Sequence, residues 1–286
     1  MPIAIVTDST ALFPNPVFPG RDLVNILTPA WQPELPGGVE RLKAADFPHS
    51  LRGSTAPRLL TPSAADFETL FHKLGSTHEG VLAILHSGQF SRIEEEAQAA
   101  ATTVHGNVPV RVVDSLSVSL GLGLLVQAAA AASAGGMPLT ELDLHVRSLL
   151  PRVFGMLCIP GLTYLERNGG NGGVHKGGVN PSQALVGEHL EILQVFMLDN
   201  GELMPTQKAR NPRQLVDIMH EFLSEFMDLA HIALLQGTPA FEAETRALRE
   251  RLAEEGRTTP ISEQIINAPL ASFIGPHALG LFAIRA

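Results

Sequence analysis

The sequence predicts an α/β protein of two domains. An N-terminal doubly wound, mostly parallel sheet over residues 1–155 precedes a C-terminal mixed sheet with helices over 156–286. Three observations predict it. Strand-like and helix-like runs alternate through the first half, the pattern of strands returning through crossover helices. A strand, a Ser-containing turn and a helix are expected three times, at Thr7–Thr10, His86–Gln89 and Asp114–Gly123. Beyond a glycine-rich stretch, NGGNGGVHKGGVN at 168–180, the composition changes and Asp199-Asn200-Gly201 signals an antiparallel hairpin.

Ile3 to Thr7 is a continuous β-branched run bounded by polar turn residues, as a strand buried on both faces requires. Residues 12–62 are proline-rich and irregular, with Asn25–Trp31 a second strand and Ala44–Leu51 a short helix. Thr61 or Ser63 caps a helix that places Phe67, Leu70, Phe71 and Leu74 on one face. Val81–Leu85 is the next strand, followed by a helix over Ser91–Val104 with Ile93 and the alanines inward. Val110–Val113 halts at Asp114-Ser115, and an apolar, alanine-rich helix follows the turn. A helix over Leu139–Leu150 ends before Pro151, and 168–180 holds too many glycines for regular structure. Glu191–Phe196 and Leu203–Lys208 form the hairpin. A helix over Pro212–Leu229 carries Leu215, Ile218, Met219, Phe222 and Phe226 as one stripe. Ile232–Gln236, Phe241–Leu252 and Leu279–Ile284 read as strand, helix and strand.

The bulk numbers exclude several classes of function. The 20 Lys and Arg against 29 Asp and Glu give a net charge of −9 with no basic cluster, so nucleic acid and anionic membrane surfaces are poor partners. One cysteine, Cys158, forbids an internal disulfide and a cysteine-based metal site. No signal peptide or membrane-length apolar run is present, and a cytoplasmic location without stable membrane insertion is expected.

The candidate chemistry is sparse. Gly121-Leu122-Gly123 lacks the third glycine and the later acidic residue of a dinucleotide loop, so close packing at a tight turn is the expected use. Ser87 follows His86 at a strand end but not within GxSxG, and the eleven histidines form no HExxH pair, so no metal site is expected. Asp8 and Asp114 read as caps of the turns they begin. If the strands are parallel neighbours, Ser9, Thr10, Ser87, Ser115, Ser117 and Ser119 share one sheet edge, where hydroxyls and backbone N–H groups suit a small anionic head.

The chain also resembles the DegV family of bacterial fatty-acid-binding proteins over nearly its whole length. The residues that carry this are Val6-Thr7-Asp8-Ser9-Thr10-Ala11, Pro62-Ser63, Ser87-Gly88 and Val112-Val113-Asp114-Ser115 with Ser119, Gly121 and Gly123. Tyr164-Leu165, Asp199-Asn200-Gly201 with Lys208 and Arg210, Gly275-Pro276 and Ala278-Leu279-Gly280 add to it. The resemblance implies a two-domain carrier that buries a long-chain fatty acid between its domains, needs no other cofactor, and presents the carboxylate to a separate fatty acid kinase subunit. It implies a carboxylate held by hydroxyls near the sheet edge, with Ser87 beside Gly88 hydrogen-bonding the head group, Ser9 and Thr10 among the edge hydroxyls, Ser115 to Ser119 at the wall of the site, and Arg210 near the entrance or partner surface. Roughly fourteen buried methylenes at ~0.8 kcal/mol each would supply on the order of 11 kcal/mol before ordering costs.

Two family positions have turned apolar. The family's threonine falls on Leu59 and its C-terminal histidine on Phe273, which leaves Thr61, His86 or His277 to take their place. Two rivals follow. One is an enzyme of related fold, an acyl hydrolase using Ser87 with His86 or a phosphotransferase. The other is a diverged interaction module whose cavity is filled by side chains such as Leu59, Leu60 and Phe273.

Overall fold

In this computed structural model the described residues are 2–27, 30–32, 42–51, 53–169 and 192–286. The chain runs through β1 (Ala4–Thr7), β2 (Val24–Ile26), β3 (Ala30–Gln32), β4 (Arg58–Leu60), α1 (Ala64–Gly75), β5 (Val81–Leu85), α2 (Ile93–Thr103), β6 (Val110–Asp114), α3 (Ser119–Ala134) and α4 (Leu139–Leu149). It continues with β7 (Val153–Ile159), α5 (Thr163–Gly169), β8 (Leu193–Asp199), β9 (Glu202–Ala209), α6 (Pro212–Ser224), β10 (Leu229–Gln236), α7 (Glu242–Glu254), β11 (Ile261–Ile265), α8 (Ala268–Ile274) and β12 (Leu279–Arg285).

The β-branched runs of the first half pair in parallel as β2-β1-β5-β6. Successive side chains of a strand point to opposite faces, so each strand feeds two cores. Ala4, Val6, Val81, Ala83 and Leu85 meet Phe67, Phe71, Ile93 and Ala97 of α1 and α2. Ile3, Ile5, Leu82 and Ile84 meet Leu122, Leu125, Val126, Leu142 and Val146 of α3 and α4. Helices on both faces make this sheet doubly wound, as expected. Ser63 caps α1 by accepting from Asp66 N, while the Asp66 carboxylate takes the Ser63 N–H in return.

The second half builds a six-stranded sheet, β11-β10-β12-β7-β8-β9, antiparallel except for β10 with β11. One face packs on α6 and α7 through Met156, Cys158, Leu215, Met219, Leu234 and Leu248. Burial pushes the Cys158 thiol up to about 12, so it is an inert core group. The other face, with Leu157, Phe196, Leu235 and Phe282, looks toward the first sheet and shares an apolar cluster with Phe90, Leu120, Tyr164 and Phe273. α3 is buried on every side along Ser119–Val126 because it lies between the two sheets, against β1 and β5 on one side and β7, β10 and β12 on the other.

Several expectations change. The strand foreseen over Asn25–Trp31 is two, β2 beside β1 and β3 in a separate antiparallel ribbon with β4. The helix foreseen over Ala44–Leu51 is one 3₁₀ turn, Ala44–Asp46, and Pro48 follows its cap. No helix follows the β1 turn, where Pro14, Pro16 and Pro19 intervene before a 3₁₀ turn at Arg21–Leu23. α6 stops at Ser224 and its helix partner Phe226 instead stacks on Phe154, with ring centroids 4.2 Å apart. The glycine-rich stretch expected at 168–180 begins within the last turn of α5, and its remainder lies outside the described residues. Among the described residues no helix is long and apolar enough to cross a membrane.

Candidate functional site at the carboxyl edge of the parallel sheet

Because β1, β5 and β6 are parallel neighbours, their carboxyl ends release three polar turns at one edge. Two carboxylates lace those turns together. Asp8 Oδ1 accepts from Thr10 N at 2.9 Å and Thr10 Oγ1 at 2.6 Å, and Asp8 Oδ2 accepts from His86 N at 2.7 Å. Asp114 Oδ1 accepts from Leu116 N at 2.8 Å and Oδ2 from Gly88 N at 3.0 Å. Each therefore caps its own turn, as expected, and also holds the turn of the strand between them. Burial by itself would raise the Asp8 pKa; the His86 ring beside it and the hydrogen bonds from His86 and Thr10 outweigh that and hold it at about 2.

His86 is buried beside Asp8. Its Nδ1 lies 3.0 Å from Asp8 Oδ1 without the alignment of a hydrogen bond, and its Nε2 lies 2.8 Å from Ser91 Oγ. The ring also meets Phe273 at 5.7 Å and Phe90 at 6.3 Å between centroids. A small pocket opens here, lined by Asp8, Ser9, Thr61, His86 and Ser91 on its polar side and by Leu27, Leu59, Leu60, Pro62, Ile93 and Phe273 on its apolar side. Its volume is about 10 Å³, room for a single water.

The structure thus brings four of the sequence-predicted residues to one pocket: Ser9, Thr61, His86 and Phe273. The others lie elsewhere. Ser87 Oγ donates to Gly201 O at 3.0 Å and accepts from Gln89 N at 3.2 Å, which commits its single proton to the β8–β9 hairpin turn. Gly88 gives its N–H to Asp114. Thr10 is spent on Asp8. Ser115 Oγ donates to Ser117 O at 3.1 Å within its own turn. Arg210 follows the far end of β9, nine residues past Gly201 and so roughly 30 Å away along an extended strand. His277 stacks on His49 with ring centroids 3.6 Å apart; burial and that second ring depress its pKa to about 4.

Two groups escaped the sequence reading. The sequence marks Ser91 only as a helix start, although a hydroxyl five residues beyond a strand-end histidine, at the mouth of a helix, is a signal for the contact it makes. Arg167 of α5 donates to Ala56 O and Ser272 O, both at 2.9 Å, and so ties the chain before β4 to α8, the carriers of Leu59 and Phe273. Gly121 and Gly123 serve close packing: a Cβ on Gly121 would lie 2.1 Å from Ser117 Oγ, and one on Gly123 would lie 1.9 Å from Leu12 O. Among the described residues no group of three or more His, Cys, Asp or Glu side chains could hold a metal.

Comparison with known proteins covers the whole chain. Residues 2–286 match the family described as "Uncharacterised protein, DegV family". A DegV domain-containing protein of Caldanaerobacter subterraneus is 26% identical over 98% of both chains, and Protein DegV of Bacillus subtilis 23% identical over 98% of both. Among solved structures, a fatty-acid-binding DegV family protein of Thermus thermophilus superposes with a TM-score of 0.80 at 24% identity, covering 100% of each chain. The fatty acid kinase B3 protein of Streptococcus pneumoniae, loaded with linoleic acid, has a TM-score of 0.80 at 18% identity and the same coverage. With the parallel sheet, the mixed sheet and the polar edge between them, the match over residues 2–286 establishes that this chain belongs to the DegV family.

Proposed function

We propose that the chain binds a long-chain fatty acid or a similar amphiphile between two domains, 1–155 and 156–286, and presents its carboxylate to a separate fatty acid kinase in the cytoplasm. One observation carries the reading: a pocket with hydroxyls and an imidazole on one side, from Ser9, Thr61, Ser91 and His86, adjoins an apolar cluster built from both sheets. An acyl chain would enter that cluster and its head group would stay at the sheet edge. The fatty acids held by the Thermus and Streptococcus neighbours support it. Thr61 and His86 then take the places of the apolar Leu59 and Phe273. This carrier role asks for no catalysis.

A second reading has its own observation. Phe273 packs between His86 and Phe90, and the pocket it borders holds about 10 Å³. A chain that keeps this packing is an interaction module without lipid. Native mass spectrometry of the purified chain, before and after solvent extraction and again after adding oleate, tests the choice. The carrier gives a one-to-one acyl adduct that extraction removes and oleate restores; the module stays at the bare mass throughout.

A further inference from the structure

His86 and Ser91, which the carrier role uses only to hold a head group, belong with Asp8 to a constellation that holding a head group does not require. Asp8 comes from the turn after β1, His86 from the end of β5, and Ser91 from the approach to α2, so their meeting depends on the strand order and not on sequence proximity. Asp8 Oδ1 lies 3.0 Å from His86 Nδ1, and His86 Nε2 lies 2.8 Å from Ser91 Oγ. The His86 and Asp8 side chains are 3% and 4% exposed and Ser91 is 7% exposed. We infer that Asp8, His86 and Ser91 form an acyl-transfer centre in which Ser91 is the nucleophile toward the carbonyl of a long-chain acyl ester or thioester.

The roles follow from the contacts. Asp8 is ionised across the neutral range and lies 3.0 Å from Nδ1, so a small rotation of the ring aligns an Nδ1–H with the carboxylate and gives the tautomer in which Nε2 accepts from the Ser91 hydroxyl. Asp8 is itself held by the His86 and Thr10 N–H groups and by the Thr10 hydroxyl, which fixes its orientation toward the ring. Ser91 also accepts from Ile93 N at 3.3 Å, which seats it at the mouth of α2, where a helix leaves its first N–H groups unpaired and able to receive a developing oxyanion. His86 and Ser91 both reach the pocket, whose other wall is Leu27, Leu59, Ile93 and Phe273. An acyl carbonyl suits that combination better than a charged phosphate would, since the wall offers no cation.

The step balances with water as co-reactant. Ser91 Oγ bonds to the acyl carbon while its proton passes to His86 Nε2. That proton then goes to the leaving alkoxide or thiolate as the carbon–oxygen or carbon–sulfur bond breaks, giving acyl-Ser91 and an alcohol or thiol. Water next gives a proton to His86 as its oxygen bonds to the acyl carbon; the bond from that carbon to Ser91 Oγ then breaks and His86 passes the proton to Oγ, which frees the fatty acid and restores Ser91 and the neutral imidazole. The product has the chemistry of the ligand proposed above, so the centre would load the pocket it borders. The substrate class rests on that acyl-binding reading; the nucleophile does not.

The full chain treated with an alkyl fluorophosphonate at neutral pH, then read by intact mass and peptide mapping, tests the centre. The expected result is one phosphonyl group on Ser91. It should be absent from Ser91→Ala and form about 10²–10⁴-fold more slowly in His86→Gln. Natively folded wild type that gains no adduct, an adduct on another residue, or an unchanged rate in His86→Gln would each overturn the inference. The first two outcomes are read on the wild type, so a variant that fails to fold does not rescue it. Oleate uptake measured on the same sample separates the two proposals: uptake without labelling removes the acyl-transfer centre alone, whereas labelling without uptake keeps Ser91 as nucleophile and removes the carrier.

Discussion

Asp8 gives one carboxylate oxygen to its own turn and the other to the backbone at the end of the neighbouring strand, and Asp114 does the same from the opposite side. The first half of that arrangement is readable from sequence, because an aspartate reaches the N–H two residues on whatever the fold does. The second half depends on β5 lying between β1 and β6, which local pattern does not encode. The same gap explains why Ser87 looked like the reactive hydroxyl: it adjoins His86 in sequence, whereas Ser91 adjoins it in space. Asp8 also makes a pH prediction. Its folded pKa, about 2, lies below the 3.8 of an unperturbed Asp, so its contribution is present above pH 3.8 and is lost as pH falls toward 2. The stability difference between wild type and Asp8→Asn, measured by urea unfolding, should shrink by roughly 2 kcal/mol across that window. For His277 the folded pKa of about 4 lies below 6.5, so the unfolded chain takes up a proton that the fold refuses. Stability should therefore decline as pH falls from 6.5 to 4, and His277→Gln should flatten that part of the profile.

Elements with a long periodic pattern were legible: α1, β5, the start and stripe of α6, and the hairpin whose Asn200 and Gly201 both take positive φ, at 48° and 83°. One of those missed, β7, has an apolar run, VFGMLCI, like that of β5 but broken by Gly155, and others lack any such pattern. β11, ISEQI, mixes polar and apolar residues as an edge strand does, and α8 has only seven residues, started by the Asn267 cap and a proline. α8 nevertheless carries Phe273, the residue that borders the pocket. Phe273→Ala should cost about 3–4 kcal/mol in chemical unfolding and still raise oleate uptake, because the lost ring widens the pocket. At the start of α1, Ser63→Ala removes the reciprocal cap and should lower stability by about 1 kcal/mol without altering uptake.

On the scale of the molecule, the two sheets meet through α3, through the shared apolar cluster and through polar contacts that include Ser87 Oγ to Gly201 O and the Asn267 amide to Ser9 O. The class of each sheet was legible from the switch between alternating strand–helix runs and the hairpin signal. The meeting of the sheets was not, because it arises from tertiary packing of residues more than a hundred positions apart, such as Phe90 and Phe282. Gly201 is the tightest point of that junction: its φ is +83° and an added Cβ would lie 2.3 Å from Ser87 Oγ. Gly201→Ala should therefore destabilise the whole fold by about 2 kcal/mol in thermal or chemical unfolding, through backbone strain and the lost contact together.

The claim that organises these observations is that a fatty-acid head group sits at the carboxyl edge of the parallel sheet with its tail in the cluster between the sheets. A crystal structure of the delipidated chain soaked with a terminally brominated fatty acid tests it most directly. The carboxylate should lie within hydrogen-bond reach of Thr61, His86 or Ser91, with an anomalous bromine peak among Leu120, Phe196 and Phe282. A fatty acid seated elsewhere, or an undisturbed Phe273 with no acyl chain beside it, would rule out this seat for the head group.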